Sequence, residues 1–179
     1  AVLSHPWKQS PRILDLGTGS GCILLTLLHE IPGSTGVGVD ISSAAVETAT
    51  RNAREQNLSS RVDFICSSWT DSLSGTFDSI VSNPPYIPSA TILDLHPEVQ
   101  NHDPILTLDG GKDGLAPYKI LLPALKKFLE PGGLVFFEIG IGQATDITGL
   151  VRDSNATLSR TYRDLGGIER VLEIQYGDN

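Results

Sequence analysis

The sequence predicts an α/β fold: a mostly parallel sheet with helices on both faces and a last strand that runs antiparallel. Three observations carry this. Short apolar runs alternate with helix-like segments along most of the 179 residues, the pattern of parallel strands joined by crossover helices. One of these units has the order strand, glycine loop, helix over residues 13–28. Two β-like runs near the end, 158–163 and 170–176, are joined by the short Gly166-Gly167 connection, and only antiparallel neighbours can be joined so tightly.

The composition, with 40% hydrophobic and 19% charged residues, suits one domain around one core. Thirteen Lys and Arg against 21 Asp and Glu give a formal charge of −8 and a pI near 4.8. A chain this acidic has no general attraction for a phosphate backbone, so direct nucleic-acid binding is not expected. No apolar run approaches the roughly 18 residues of a membrane span, and no signal-peptide pattern opens the chain; a soluble protein is expected. Cys22 and Cys66 lie in apolar runs without CxxC spacing, which suggests neither a disulfide framework nor a zinc site and fits a reducing compartment. The chain starts at Ala1 and contains no Met, so a fragment or processed form is expected.

Residues 1–11, with Pro6, Trp7 and Pro11, have no period. The first strand, 13–16, runs into Gly17-Thr18-Gly19-Ser20-Gly21, and residues 23–28 read as a helix. Glycines let a ligand approach the backbone closely, and the helix start beyond them offers unpaired N–H groups. After the Pro32-Gly33 turn, a second strand over 37–40 ends in Asp40. Asp40 follows Gly17 by 23 positions, close to the spacing of about 20 at which an acid accepts ribose hydroxyls in nucleotide-binding βαβ units. The dinucleotide fingerprint G-x-G-x-x-G needs glycine where this chain has Cys22. A G-x-G-x-G loop with a terminal acid suits a nucleoside without pyrophosphate, of which S-adenosylmethionine is the obvious candidate.

Ser42 or Ser43 can cap the next helix, which carries Ala45, Ala49 and Ala53 and ends near Gln56. A third strand, 62–66, is followed by Ser67, Ser68 and Trp69; the indole either stacks on an adenine or belongs to the core. The fourth strand, 77–82, delivers Asn83-Pro84-Pro85-Tyr86 to the carboxyl edge of the sheet, where ligands bind in open α/β folds. Two prolines hold φ near about −65° and remove two N–H donors, leaving a stiff rim of carbonyls. Asn83 adds an amide and Tyr86 a flat ring. Such a rim can grip a planar NH2-bearing group; it can equally be an ordinary turn.

Residues 87–116 have no helical or strand period and contain His96, Pro97, His102, Asp103, Pro104 and the Gly110-Gly111, Gly114 cluster. A loop of this length beside Asn83 is a candidate substrate-facing flap. His96 and His102 lack a third ligand and read as solvated or structural. Pro117 suits a first helical turn, and the apolar face Ile120, Leu121, Ala124, Leu125, Phe128, Leu129 extends that helix to the Pro131-Gly132-Gly133 break. A fifth strand over 134–139 and a helix over 143–152 precede the terminal pair.

Taken together, residues 15–21, Asp40, Trp69 after its serine pair, and residues 82–86 resemble class I S-adenosylmethionine-dependent methyltransferases that modify exocyclic or amide nitrogens. Residues 96–99 and 103–104, Gly110-Gly111 with 113–115, 131–133, Glu138-Ile139-Gly140 and 164–171 narrow the resemblance to the release factor glutamine methyltransferases of bacteria and organelles. The similarity runs from Arg12 to Tyr176. It implies a Rossmann-like sheet of seven strands and N5-methylation of the glutamine in the Gly-Gly-Gln loop of class I peptide chain release factors, with S-adenosylhomocysteine as the product. It also implies that Gly17, Thr18, Gly19, Ser20 and Gly21 hold the methionine portion of the cofactor and Asp40 its ribose, with Trp69 against the adenosine region. By the same resemblance Asn83 is expected to touch both cofactor and substrate and to be the catalytic residue, and with Pro84, Pro85 and Tyr86 to hold the glutamine amide. A cytoplasmic or mitochondrial monomer is expected.

Three features of the given residues depart from that family: Ser68 stands where an acid precedes the tryptophan, no Gly-Phe pair lies near Asn155, and neither the family's amino-terminal helical domain nor its Arg-Pro acidic segment before the first strand is expected among them. The resemblance therefore implies a catalytic domain by itself. Two other readings remain open on the residues: an adenine-N6 methyltransferase acting on DNA or RNA, which uses a similar rim, and a non-catalytic scaffold that binds S-adenosylmethionine.

Overall fold

The computed structural model describes residues 1–7, 10–92 and 108–177. Its strands are β1 (Arg12–Leu16), β2 (Thr35–Asp40), β3 (Val62–Cys66), β4 (Phe77–Ser82), β5 (Leu129–Glu138), β6 (Ala156–Arg163) and β7 (Glu169–Tyr176). They form one seven-stranded sheet in the order β3-β2-β1-β4-β5-β7-β6. Neighbours pair in parallel from β3 to β5, while β7 is antiparallel to both β5 and β6. The helices are α1 (Cys22–Glu30), α2 (Ser43–Glu55), α3 (Ser89–Ile92), α4 (Ala116–Leu125) and α5 (Ala144–Asp153).

Period-two alternation divides the core into two layers. Leu14, Ile80, Val135 and Phe137 pack with α4 and α5 through Leu121, Leu125, Ile147 and Val151. Ile13, Val81, Leu134 and Phe136 pack with α1 and α2 through Leu24, Leu28 and Ala53. Each fully buried Leu, Ile or Phe contributes about 1.5–3 kcal/mol relative to exposure, so a strand slipped by one residue would exchange the layers and lose both. The sheet edge that carries the candidate residues is held in register by that penalty.

The third and fourth strands have the boundaries read from the sequence, and Ser42 caps α2, its Oγ accepting the Ala45 amide at 3.3 Å. Two elements differ most from expectation. The helix opened by Pro117 stops at Leu125, and a 3-10 turn over Lys126–Phe128 carries the apolar period onward with Phe128 still buried. The fifth strand begins at Leu129 rather than 134, because residues 131–133 bulge out within it: five steps along β5 match two along β4, as expected where Pro removes a ladder donor and Gly132 sits at φ +77°. Cys22 and Cys66 are exposed free thiols at the ends of α1 and β3.

The segment expected to lack periodicity contains α3 and a bridge pairing Ile87 with Asp109. His96, Pro97, His102, Asp103 and Pro104, and with them half of the expected flap, lie outside the described residues. Near Asn155 the missing glycine is replaced in conformation: Asn155 takes φ +56°, which asparagine tolerates. No described helix is long and apolar enough to cross a membrane.

Candidate active site

Leu16 is in register with Val39 on one side and Ser82 on the other. The next residue of each strand is therefore Gly17, Asp40 and Asn83, which leave the sheet at one edge, with neighbouring strands about 4.8 Å apart. Asn83 is exposed and Asp40 half-buried, so both side chains reach the crevice beyond that edge.

The first half of the glycine loop is tied to β2 by three backbone amides. The amides of Gly17 and Thr18 donate to the Val39 carbonyl at 2.8 and 3.0 Å, and the Gly19 amide donates to Asp40 Oδ2 at 2.8 Å. Asp40 Oδ1 accepts the Ser42 amide at 2.9 Å. Gly17, Gly19 and Gly21 have φ of +73°, +56° and +79°, a region costly for other residues. The three face different surroundings. A Cβ on Gly21 would lie 3.2–3.3 Å from Ala49, Leu25 and Phe64; a Cβ on Gly17 would touch the Trp69 ring at 3.6 Å; a Cβ on Gly19 would meet nothing within 4 Å. Open space thus lies over Gly19 and the exposed Ser20, while Gly21 serves close packing of the loop on α2 and β3.

Thr18 points inward. Its Oγ1 donates to Asp15 Oδ2 at 2.7 Å, beneath the loop. Asp15 is 1% exposed and its other oxygen, Oδ1, has no hydrogen-bond partner among the described residues. Burial pushes the Asp15 carboxyl up to about 6, reinforced by the negative charge of Asp40 and opposed by the Thr18 hydroxyl. By pattern alone Asp15 reads as one position of a strand; the signal that sets it apart is a charged residue inside an otherwise apolar run. Trp69 adopts φ +44° and is half-buried, its ring beside Gly17 and packed against the α4-side core.

Asn83 makes no side-chain hydrogen bond among the described residues, Pro84 is buried, and Pro85 and Tyr86 are half-buried. The rim they form is cradled by three glycines from two other loops. A Cβ on Gly110 would stand 2.9 Å from the Pro85 carbonyl; one on Gly114 would collide with the Tyr86 carbonyl; one on Gly140 would lie 3.1 Å from the Tyr86 ring. The Ile87 amide donates to the Leu108 carbonyl at 3.1 Å and the Gly110 amide to the Ile87 carbonyl at 2.8 Å, tying the turn to the chain that returns toward α4. The glycine cluster 110–114 and Gly140 are thus packing partners of the rim.

Glu138, at the end of β5, belongs to a motif of the resemblance, Glu138-Ile139-Gly140, to which the sequence reading gives no role at the site. Phe137 pairs with Ser82, so Glu138 stands next to Asn83 in register, and it lines a groove of about 270 Å³ with Val81, Ser82, Phe136, Ile23 and Leu3. Burial raises its carboxyl above the usual range, partly offset by Arg170. The strand-end position that marks Asn83 marks Glu138 equally.

Comparison with known proteins bears on the family and the fold. A family model described as methyltransferase small domain matches residues 2–96. The chain is 48% identical over 168 residues to a release factor glutamine methyltransferase of Agrobacterium fabrum, covering 94% of this chain and 58% of the relative. It is 51% identical over 161 residues to the protein of that name from Rhodospirillum rubrum, covering 90% and 50%. The chain spans little more than half the length of these curated relatives. A methyltransferase structure from Pyrococcus furiosus superposes with a TM-score of 0.72 at 19% identity, over 96% of this chain and 77% of that one, which establishes the shared sheet topology. With more than half of its length matched by that family model, this chain belongs to the methyltransferase small domain family.

Proposed function

We propose that this chain is the catalytic portion of a protein that transfers a methyl group from S-adenosylmethionine to the side-chain amide nitrogen of the glutamine in the Gly-Gly-Gln loop of class I peptide chain release factors. The observation that carries the reading is the exposed Asn83 amide, without a partner among the described residues, on a carbonyl rim one strand away from the glycine loop and two from Asp40. The curated relatives that match almost the whole of this chain carry the corresponding name.

The loop suits the cofactor. Open space over Gly19 accommodates its methionine portion, and the orphaned Asp15 oxygen beneath the loop provides negative potential for a cationic ligand. Asp40, placed at the end of β2, would accept ribose hydroxyls, and the Trp69 ring beside Gly17 would border the adenosine. When bound, the cofactor supplies a sulfonium methyl carbon, whose bond to sulfur breaks with its electron pair leaving on sulfur as nitrogen attacks.

A carboxamide nitrogen is a poor nucleophile because its lone pair is delocalised into the carbonyl. The residues at the rim address that by position and polarity. Asn83 Oδ1 and the Pro84 carbonyl would accept the two amide hydrogens, turning the nitrogen toward the methyl carbon and favouring the positive charge that grows on it. Holding the reacting atoms about 3–3.5 Å apart contributes several kcal/mol through orientation. The methylated nitrogen then sheds one proton along one of these hydrogen bonds to solvent, which reaches the exposed Asn83. No strong base is required.

The test is mass spectrometry of a class I release factor after incubation with this protein and methyl-labelled S-adenosylmethionine. The expected result is one methyl group on the Gly-Gly-Gln glutamine. Label on an oligonucleotide and none on the release factor would replace this reading with adenine methylation, and cofactor binding without transfer to either would leave a binding scaffold. The acidity of the chain, −8 at neutral pH, weighs against the oligonucleotide.

A further inference from the structure

Two of the four residues in the rim are prolines and have no backbone N–H, so the turn has few donors with which to fix itself once it leaves the β4 ladder. Its stiffness must come from donors that other segments aim at its carbonyls. One side chain does this. Gln143, between β5 and α5, donates through Nε2 to the Tyr86 carbonyl at 2.9 Å and to the Gly114 carbonyl at 3.3 Å, while its Oε1 accepts the Gly140 amide at 2.9 Å. Both amide hydrogens and the amide oxygen are thereby spent on backbone. It joins the rim to the two segments whose glycines press against it, and a Cβ on Gly114 or Gly140 would lie 2.6 Å from Nε2 or 2.8 Å from Oε1 respectively. The glycines at 114 and 140 thus leave room for the rim and for the one side chain that holds it.

We propose that Gln143 is a positioning residue that sets the height and direction of the Asn83–Tyr86 turn relative to the glycine loop, acting through the backbone of Tyr86 without touching cofactor or acceptor. The catalytic consequence rests on the amide-methylation reading above; the mechanical clamp does not. The Gln143 amide meets the turn at the loops that return from β5 and toward α4, with its polar atoms engaged on backbone. Its loss leaves Asn83 chemically intact but lets its oxygen drift, and a displacement of about 1 Å costs on the order of 10²-fold in rate.

The experiment compares the protein with its Gln143→Ala and Gln143→Glu variants. Gln143→Glu keeps the shape and the acceptor for Gly140 but sets carboxylate oxygens against the Tyr86 and Gly114 carbonyls. Amide hydrogen exchange is read at Gly140, Ile87 and Gly19, S-adenosylhomocysteine affinity by calorimetry, and kcat and KM with a release factor. Both variants are expected to exchange at least tenfold faster at Ile87, and Gln143→Ala also at Gly140. Gly19 exchange and S-adenosylhomocysteine affinity should stay within twofold, and kcat should fall at least tenfold, with Gln143→Glu no better than Gln143→Ala. Unchanged Ile87 exchange, or a kcat within twofold of the parent, overturns the proposal. So does a parallel loss of cofactor affinity, or failure of both variants to fold, since each makes Gln143 a general structural residue. If the parent protein transfers no methyl to the release factor while the exchange pattern holds, the clamp stands and the proposed substrate falls.

Discussion

Asp40 Oδ2 accepts the Gly19 amide at 2.8 Å, joining the glycine loop to the end of the neighbouring strand. The same carboxylate accepts the Ser42 amide through Oδ1, so one side chain shapes the loop and starts α2 while part of its surface still faces the crevice. Hydrogen bonds to a charged acceptor are worth about 1.5–3 kcal/mol each. Asp40→Ala should therefore lower the melting temperature, since the Gly19 and Ser42 amides lose their acceptor, and weaken S-adenosylhomocysteine binding by roughly 10²-fold. Calorimetric titration measures it, and an unaltered affinity would remove Asp40 from the cofactor site.

Asn83 is exposed and, among the described residues, its side chain makes no hydrogen bond that holds the fold. Asn83→Ala is expected to melt within a degree or two of the parent and to bind cofactor within a factor of two, while kcat with the release factor falls by about 10²-fold or more, the usual loss when a preorganised transition-state hydrogen bond is deleted. Normal turnover in this variant would defeat its assignment as the catalytic residue.

Two glycines in irregular and regular backbone should respond oppositely to alanine. Gly114 sits at φ +73° with the Tyr86 carbonyl in the way of a Cβ, so Gly114→Ala should destabilise by about 2 kcal/mol or more and loosen the rim. Gly149 lies inside α5, where an added methyl group would meet nothing within 4 Å, so Gly149→Ala should stabilise by about 0.5–1 kcal/mol. Denaturant unfolding of the pair checks both signs.

The Asp15 carboxyl, raised by burial from 3.8 to about 6, makes stability depend on pH in a defined direction. The folded state binds the proton more tightly than the unfolded chain. Its contribution is therefore complete below pH 3.8 and is lost as pH rises to about 6. Above that window the buried charge costs roughly 3 kcal/mol. Asp15→Asn keeps an acceptor for the Thr18 hydroxyl without the charge, so the parent should lose stability relative to Asp15→Asn between about pH 4 and 6 and run parallel to it above about pH 7. A constant difference across that range would show that Asp15 does not titrate there.

The extent of the sequence's authority is clearest at the sheet edge. Period-two apolar runs bounded by glycine and proline placed the ends of β1, β2 and β4, and with them Gly17, Asp40 and Asn83, because alternation and backbone-specific residues are local properties that a chain displays wherever it folds. Local logic erred where two local signals overlapped, as at residues 126–133, where an apolar period that reads as continuing helix is carried by a 3-10 turn into a bulged strand.

What tertiary structure alone decided is which groups those edges would meet. Thr18, written in the sequence as a loop residue, turns its hydroxyl inward onto Asp15; Gly110, Gly114 and Gly140 prove to be spaces shaped around Pro85 and Tyr86; Gln143 finds the Tyr86 carbonyl 57 residues away. A hydrogen bond or a close approach depends on atoms brought within a few ångströms by the register of five parallel strands, and that register is set by burying two apolar layers at once. The residues of the crevice could be read from one-dimensional pattern, whereas the partners that hold them rigid exist only after the sheet has closed.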